Sequence, residues 1–310
     1  MHILIAGGSG FLGSYLIKKC SSHGDQITLL TRNPTKIDAQ PSMKVVYWDG
    51  KTVKLPPLEK PVDVVINLCG LSIARRWSAQ AKKQIHNSRI EPSKALVKWC
   101  LEVEKGPKTF IQISGIDYYD MTTMACKEND PAGNTFLARL AKDWEATTKP
   151  LDKSNTRLII ARLAPVLAKT HPPLQPILLS TQCFLGAMIG PGSQYFSWIH
   201  HEDFTTIIIK MIKEQSIRGT YNVCSPYPIP YATFIKTLAT ICHRPAWLTM
   251  PSWLMKTLLG EMASLVLDSR KVLPEKLLAA EHKFKYPEIQ QALTQIVKPE
   301  CSKNSTNNHS

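Results

Sequence analysis

A glycine-rich turn between an apolar run and a helical pattern is the feature that most constrains this chain. Residues Ile3–Ala6 are uniformly apolar, as in a buried parallel strand, and Phe11–Cys20 has the pattern of a helix. Gly7, Gly10 and Gly13 lie in and beside the junction. Glycines at these positions permit a tight turn, a close approach of the backbone to a pyrophosphate and close helix–strand packing. The segment therefore predicts dinucleotide binding, with an ordinary glycine turn as the alternative.

The same turn supplies the groups that the phosphates of a dinucleotide require. Such phosphates bind the free backbone N–H groups at the N-terminus of a helix, where the helix dipole favours negative charge. The residues predicted to contact the dinucleotide here are Gly7, Ser9, Gly10, Phe11, Leu12 and Gly13.

The end of the second predicted strand, Gln26–Thr31, bears on the choice of cofactor. About 20 residues after the glycines, an acidic residue binds the ribose 2′-hydroxyl of NAD. This chain has Thr31, Arg32 and Asn33 at that place and no acid. Because an arginine can pair bidentately with a 2′-phosphate, we expect NADP(H) rather than NAD. The alternative is that Arg32 is a solvated surface charge.

Strand and helix patterns alternate along the first half of the chain. Further strands are predicted at Met43–Trp48, Val62–Leu68, Thr109–Ser114 and Thr156–Arg162. Helices are predicted at Ser78–Val103, with an interruption at Pro92, and at Phe136–Lys149. This alternation predicts an α/β fold, a Rossmann doubly wound parallel sheet with a smaller C-terminal α/β lobe. The predicted domains are 1–165 for dinucleotide binding, to which later segments can return, 166–298 for the substrate lobe, and 299–310 as a disordered polar tail.

Composition excludes several classes of protein. The formal net charge is +14, but the lysines are dispersed and no basic patch is interleaved with aromatic residues, so nucleic acid is not an expected partner. No run of about 18 apolar residues occurs, so neither a membrane span nor a membrane partner is expected. The eight cysteines form no Cys-x-x-Cys pair and show no metal-ligand spacing. Such buried thiols, together with a first strand that directly follows Met1, predict a cytoplasmic protein without a metal.

An ordered set of short motifs resembles a known family. They are the glycine turn, VINLCG at 65–70, RRW at 75–77, SRI at 88–90, SGIDYYD at 114–120, WIHHEDF at 198–204, YNVCSPYP at 221–228, HRPA at 243–246 and VLPEKLL at 272–278. In this order they closely resemble the atypical extended short-chain dehydrogenase/reductases called epimerase family proteins. The resemblance covers about residues 1–297.

The resemblance implies a Rossmann domain, a family-specific C-terminal lobe and NADP(H) binding. Carried over position by position, it implies cofactor contacts from Thr31, Arg32, Leu68, Cys69, Gln84, Arg89 and Val166. The residues themselves support two of these regions. Asn67–Gly70 ends an apolar strand, and ligands bind beyond the carboxyl ends of such strands. Arg89, on the following helix, either pairs with a phosphate or forms a surface ion pair.

The usual catalytic residues of the superfamily are missing. Working short-chain dehydrogenases use a Ser or Thr, a Tyr that acts as acid and base, and a Lys four residues after the Tyr. The corresponding positions here are Asp117, Leu137 and Ala141. Lys142 is one residue beyond the Lys position, so it should point about 100° away around the helix.

Three residues are candidate replacements for the missing acid and base. Tyr119 and Asp117 follow the fifth strand, and Tyr119 can instead pack under the cofactor. His200 belongs to a histidine pair, and its alternative role is to pin the C-terminal lobe through hydrogen bonds. We expect His200 and His201 to point in different directions, and therefore expect no metal site.

Two classes of function fit these patterns. The first is an NADP(H)-dependent oxidoreductase or epimerase that acts on a small metabolite, with Arg75, Arg76 and Trp77 able to recognise an anionic or aromatic group. The alternative is that these three residues anchor a loop, with the tryptophan buried and the arginines in solvent. The second class is a catalytically silent NADP(H)-binding protein whose cofactor state a partner reads.

Overall fold

The computed structural model describes residues 1–37, 42–56 and 60–298. The predicted disordered tail at 299–310 lies outside these residues. The strands in the described part are, in chain order, β1 (His2–Ala6), β2 (Gln26–Thr31), β3 (Met43–Tyr47), β4 (Val64–Asn67), β5 (Thr109–Gly115), β6 (Thr122–Cys126), β7 (Arg157–Leu163), β8 (Val166–Leu167), β9 (Ala187–Ile189), β10 (Tyr195–Phe196), β11 (Ile199–His200), β12 (Gly219–Val223), β13 (Ile229–Pro230), β14 (Leu248–Met250) and β15 (Arg270–Val272).

Helices connect most of these strands. In chain order they are α1 (Phe11–Ser22), α2 (Ala79–Glu102), α3 (Phe136–Ala146), α4 (Leu174–Gln182), α5 (His201–Lys213), α6 (Tyr231–Cys242), α7 (Ser252–Leu259), α8 (Ser264–Leu267), α9 (Glu275–Ala279) and α10 (Ile289–Val297). None of the helices in the described part is both long and apolar enough to cross a bilayer.

Seven parallel strands form the central sheet, in the order β3-β2-β1-β4-β5-β7-β12. The chain winds outward from β1 in one direction and from β4 in the other, so the topological switch point lies between these two strands. The six strands predicted in the first half are all present, and no strand end differs from the prediction by more than two residues. The fold class is therefore confirmed as a Rossmann-like doubly wound sheet.

Both faces of the sheet are covered because neighbouring residues of each strand point to opposite sides. Ile3 and Ile5 pack in one core with residues of α1 and α5. Leu4 and Ala6 pack in a second core with residues of α2. A parallel sheet buried on both sides gives the uninterrupted apolar runs that the sequence shows.

Two predicted helices differ from the prediction. The first runs through Pro92 as one continuous helix, and Pro92 itself is buried. Proline inside a helix removes one hydrogen bond, so the packing of the buried face of α2 offsets that loss. The second, α3, ends at Ala146, and a short 3-10 turn follows at Lys149–Lys153.

Segments beyond residue 165 join both parts of the fold. β12 completes the central sheet beside β7, and α5 packs on α1. The remaining segments form two-stranded ribbons and a separate core around α4, α6 and α10. We call this part the small lobe. It contacts the edge at which the strands end, because Val272 of β15 packs with Ile116 and Tyr119, which follow β5.

Candidate functional site

The glycine turn after β1 is held by close backbone packing. Gly7 has a positive φ of 74°, and a Cβ there would lie 2.8 Å from the backbone nitrogen of Cys69. A Cβ on Gly13 would lie 2.1 Å from the carbonyl oxygen of Gly8. Both positions therefore require glycine for the fold itself, because any side chain would collide with backbone.

Gly10 differs because the space beside it is open. Its φ of −87° and ψ of 179° suit any residue, and a Cβ would meet nothing nearer than the Gly7 carbonyl at 3.7 Å. Gly10 is also the N-cap of α1, where no side chain caps the helix and no acid occupies the first turn. The result is an open cradle in front of a helix N-terminus, which fits the phosphates of a dinucleotide.

The residues predicted beside the cradle lie together at the edge of the sheet. The Thr31 hydroxyl donates to Ser9 Oγ at 3.3 Å. Arg32 is exposed. Burial raises the pKa of the Cys69 thiol, just after β4, to about 12, and the Arg32 charge acts against that rise. Arg32 directly follows β2, the neighbour of β1 in the sheet, and takes part in no ion pair among the described residues.

The other predicted contacts are positioned by backbone hydrogen bonds and burial. The Leu68 N–H donates to the Ala6 carbonyl at 2.9 Å, which joins the ends of β1 and β4. Phe11 and Leu12 are half-buried at the start of α1. Val166 is buried at the start of β8, beside Ile199 of β11. These placements agree with a groove that follows the strand ends, and the individual contacts stay predictions.

Gln84 and Arg89 take different environments on α2. Gln84 is exposed, whereas Arg89 is half-buried and donates from Nη1 to the carbonyls of Leu71 at 3.0 Å and Ile85 at 3.2 Å. Burial lowers the pKa of Arg89 to about 10. The surface ion pair, which was the alternative to pairing with a phosphate, is absent from the described residues, and the guanidinium holds the loop after β4 against α2.

A buried polar network lies where β5, β7 and β12 end, and sequence reasoning missed its centre. Arg162 donates from Nε and Nη2 to both carboxylate oxygens of Glu145, at 2.9 and 2.8 Å. Ser114 donates to the same carboxylate at 2.8 Å. An arginine inside an apolar strand, Arg157–Leu163, was the available signal, because a buried charge requires a partner.

Tyr119 belongs to this network. It is 1 % exposed, and its hydroxyl accepts from Arg162 at 2.9 Å and donates to Asn222 at 2.7 Å. Burial raises the pKa of Tyr119 above its ordinary value. Both hydrogen-bonding directions of the hydroxyl are in use, so the geometry favours the packing role over the acid role.

The expectation about His200 and His201 is wrong in its geometry. Their ring centroids lie 4.3 Å apart, and ligand atoms of His200, His201 and Glu202 all lie within 4.8 Å of one another. The residues flank a strand–helix junction, so the alternation expected for one regular element does not apply. They form a possible metal-ligand group by distance, although the Lys285 ammonium contacts Glu202 at 2.7 Å.

Both ring nitrogens of His200 form hydrogen bonds, one of them with the backbone. Its Nδ1 accepts from the Glu202 N–H at 3.1 Å, so the proton lies on Nε2, which donates to Gln295 at 2.9 Å. Burial lowers the pKa of His200 to about 4. The next acid, Asp203, accepts from the N–H groups of Lys285 and Tyr286. Both residues therefore tie α5 to the small lobe, which is the alternative role that the sequence left open.

A cavity of about 450 Å³ opens between α3 and the small lobe. Its lining includes Trp77, Phe136 and Leu137 on one side and Lys256, Asp268 and Arg270 on the other. Trp77 is fixed by a hydrogen bond from its ring nitrogen to the Ile73 carbonyl at 2.9 Å, whereas the neighbouring Arg75 and Arg76 are exposed.

Two carboxylates flank the guanidinium of Arg270, and one of them, Asp268, also lines this cavity. Arg270 contacts Asp117 at 3.3 Å and Asp268 at 3.1 Å. Burial raises the pKa of Asp268, and the Asp117 charge acts in the same direction. Asp117 keeps 29 % of its side chain exposed, more than Tyr119 or His200. Of the three candidate acids or bases, Asp117 is therefore the one most accessible to a small molecule.

Comparison with known proteins places the whole chain. A sequence model of the NAD dependent epimerase/dehydratase family matches residues 3–224, and a domain of unknown function, DUF1731, matches residues 250–296. The chain belongs to the NAD dependent epimerase/dehydratase family. An epimerase family protein of Staphylococcus saprophyticus is 33 % identical over 301 residues, which cover 96 % of this chain and 99 % of that protein.

Solved structures of epimerase/dehydratase proteins agree with this assignment. The human epimerase family protein SDR39U1, crystallised with NADPH, superposes with a TM-score of 0.87 at 29 % identity, covering 96 % of this chain and all of that one. A nucleoside-diphosphate sugar epimerase from Corynebacterium glutamicum superposes with a TM-score of 0.75 at 26 % identity, covering 96 % and 58 %. The chain thus has the NAD(P)-binding fold of the epimerase/dehydratase family.

This member of the epimerase/dehydratase family has apolar residues at two of the positions that catalysis normally uses. Leu137 and Ala141, the residues predicted to correspond to the usual Tyr and Lys, are both buried on α3. Lys142, one residue and so about 100° further around that helix, is exposed. Neither of these two positions on α3 therefore supplies a proton donor.

Proposed function

We propose that this protein binds NADP(H) in preference to NAD(H). The open cradle at Gly10 accommodates the pyrophosphate, and exposed Arg32 at the end of β2 is available to a 2′-phosphate. No acid competes for that place, because Thr31 and Asn33 flank the arginine. The related human protein was crystallised with NADPH, which supports the same preference.

We further propose that the protein is an oxidoreductase or epimerase that acts on a small metabolite. The observation that carries this proposal is the cavity between α3 and the small lobe, which opens beside Leu137, the position of the usual catalytic tyrosine. A protein that merely reports its cofactor state does not need such a cavity. Lys256 lines the cavity and has no ion-pair partner among the described residues, so it is available to an anionic group.

The proposed proton carriers are Asp117 and Asp268. Bound NADPH would supply a hydride, and the protein must then move a proton to or from the substrate. Two carboxylates that share one guanidinium have different environments, since Asp268 is the more buried. Burial raises the pKa of Asp268, so Asp268 is the carboxyl favoured to carry a proton, and Asp117 is the more exposed partner.

The test is a screen of NADPH oxidation against carbonyl metabolites, read by absorbance. We expect at least one substrate, with turnover reduced about 10²–10⁴-fold in Asp117→Asn while NADPH affinity is unchanged. The matched control is Asp120→Asn, because Asp120 is an exposed neighbour whose carboxylate accepts from the Met121 N–H.

A different result would support the silent alternative. If the purified protein binds NADPH tightly and no metabolite in the panel is reduced or epimerised, the enzyme proposal fails and a cofactor-reporting role takes its place. The missing tyrosine and lysine, and the occupied Tyr119 hydroxyl, are the observations that keep this second function in view.

A further inference from the structure

An exposed apolar patch lies on the small lobe, away from the glycine turn in sequence. It consists of Leu179, Phe184, Leu185 and Trp247, and we call it the apolar patch. Phe184 is 53 % exposed and Trp247 is 70 % exposed. Large side chains of this kind normally contribute to a core or an interface.

The patch is brought together by the pairing of β9 with β14. The two strands are parallel and Leu248 lies opposite Ala187, so Leu185 and Trp247 precede them at the same end of the ribbon. Phe184 follows α4 directly, and Leu179 lies one turn earlier on that helix. The two segments also meet at Gly186, where a Cβ would lie 3.4 Å from the Pro245 carbonyl oxygen, so the four residues come from two distant segments that lie side by side.

The backbone holds Phe184 in a conformation that bulky residues rarely adopt. Its φ is +63°, in the left-handed region. The ring is exposed on one side and covered on the other by the Arg244 guanidinium at 4.4 Å. Arg244 is itself fixed by a hydrogen bond to the Gln182 carbonyl at 3.2 Å. A strained backbone that presents an aromatic ring beside a cation is typical of a functional surface.

The segments that carry the patch are basic. No Asp or Glu occurs between Asp152 and Glu202 or between Glu214 and Glu261, and α10 also has none. The helices α4, α6 and α10 therefore carry no carboxylate, whereas Lys236, Arg244 and Lys298 are basic. Lys298 lies 3.0 Å from His243, next to Arg244 in the chain.

We propose that this surface docks onto an anionic lipid bilayer. Trp and Phe side chains partition to the headgroup level of a membrane, and lysine and arginine around them are attracted to anionic headgroups. A stable protein partner normally needs about 20–30 residues a side, more than four exposed apolar side chains supply. This proposal departs from the expectation, made from the sequence, that the protein has no membrane partner. Docking on the surface of a bilayer requires no membrane-spanning helix and so no long apolar run. It does not depend on the cofactor or on turnover.

The experiment is co-sedimentation of the full chain with large unilamellar vesicles. One set contains phosphatidylcholine alone, and the other contains phosphatidylcholine with phosphatidylglycerol. We expect binding to the anionic vesicles that weakens as NaCl is raised, with binding to the neutral vesicles about tenfold weaker or more. Phe184→Ser with Trp247→Ser should reduce binding to the anionic vesicles by about tenfold or more, and Arg244→Glu should also reduce it.

Three controls separate docking from structural damage. Trp247→Phe should keep most of the binding, because it preserves an aromatic ring. Tyr47→Ser, which removes an exposed aromatic from β3, should bind like the wild type. Thermal unfolding of each variant should match the wild type, since the altered side chains contact solvent.

Two outcomes would overturn the proposal. One is wild-type protein that stays in the supernatant with anionic vesicles, or patch variants that sediment as the wild type does. The other is a dimer, seen by light scattering, that the patch variants convert to monomer, because the patch would then be an interface between copies of this chain.

Discussion

The Arg162 guanidinium and the Glu145 carboxylate form a buried two-pronged ion pair that joins strand β7 to helix α3. Their side chains are 5 % and 10 % exposed. Ser114 and Tyr119 complete the hydrogen bonding around them. A buried pair of this kind contributes little net stability when complete but is costly to break.

The first prediction follows from that asymmetry. Glu145→Gln should lower the free energy of unfolding by about 3–5 kcal/mol, because the Arg162 charge is then buried without a carboxylate. Glu102→Gln is the control, since its pair with Lys98 is exposed, and it should change stability by less than about 1 kcal/mol. Urea unfolding measures both. A loss below about 1 kcal/mol for Glu145→Gln would show that the site is hydrated.

The second prediction concerns the cofactor. Arg32→Ala should weaken NADPH binding by roughly 10- to 100-fold, since a charge-assisted contact worth about 1.5–3 kcal/mol is removed. NADH binding should change little, because NADH has no 2′-phosphate. Titration calorimetry with both nucleotides decides the matter, and equal affinities of the wild-type protein for the two would contradict the assignment of Arg32.

The third prediction separates two glycines of the turn. Gly10→Val should abolish NADPH binding and leave the melting temperature near the wild-type value, because the side chain fits the protein but fills the cradle. Gly13→Val should instead lower the melting temperature, since its Cβ collides with the Gly8 carbonyl at 2.1 Å. Circular dichroism and calorimetry on both variants test this. Normal NADPH binding by folded Gly10→Val would move the phosphate site elsewhere.

The fourth prediction concerns pH. Burial lowers the pKa of His200 from 6.5 to about 4, so between these values the unfolded chain binds more protons than the native protein. The stability linked to His200 is therefore present in full above about pH 6.5 and is lost as the pH falls toward 4. The slope from this one proton is at most about 1.4 kcal/mol per pH unit.

His200→Asn tests that contribution, because asparagine also caps a helix but does not titrate. Between pH 7 and pH 5 the variant should lose less stability than the wild type in urea unfolding. The neighbouring His201, Glu202 and Lys285 remain in both proteins, so the difference between the two curves reports His200. Parallel curves would mean that His200 is hydrated in the native state.

The fifth prediction concerns the two apolar positions of α3. The wild-type protein should show no turnover of a nucleotide-sugar epimerase substrate such as UDP-galactose, because Leu137 and Ala141 transfer no proton. Leu137→Tyr with Ala141→Lys should not create that activity, since the small lobe is not shaped around those groups and a displacement of about 1 Å can cost about 10²-fold. A coupled assay that detects UDP-glucose measures the epimerase activity of both proteins. Ordinary enzyme rates from either protein would refute the prediction.

The sequence predicted most of the first half of the fold because the signals there are local. Apolar runs mark strands that are buried on both faces, and the glycine spacing marks a turn whose backbone geometry depends on neighbours in the chain. The missing Tyr and Lys were also readable, because their spacing on one helix is fixed by the helical period. Pro92 was misleading, since a local rule predicts a break that packing overrides.

What the sequence determined by itself was the sheet, the glycine cradle and the apolar character of Leu137 and Ala141. Tertiary structure alone decided that Glu145 meets Arg162, that Arg270 lies between Asp117 and Asp268, and that Phe184 and Trp247 stay outside the core. The physical reason is that partners far apart in the chain are selected by how whole elements cross. Burial likewise depends on what the rest of the chain places over a side chain, which its own residue type does not encode.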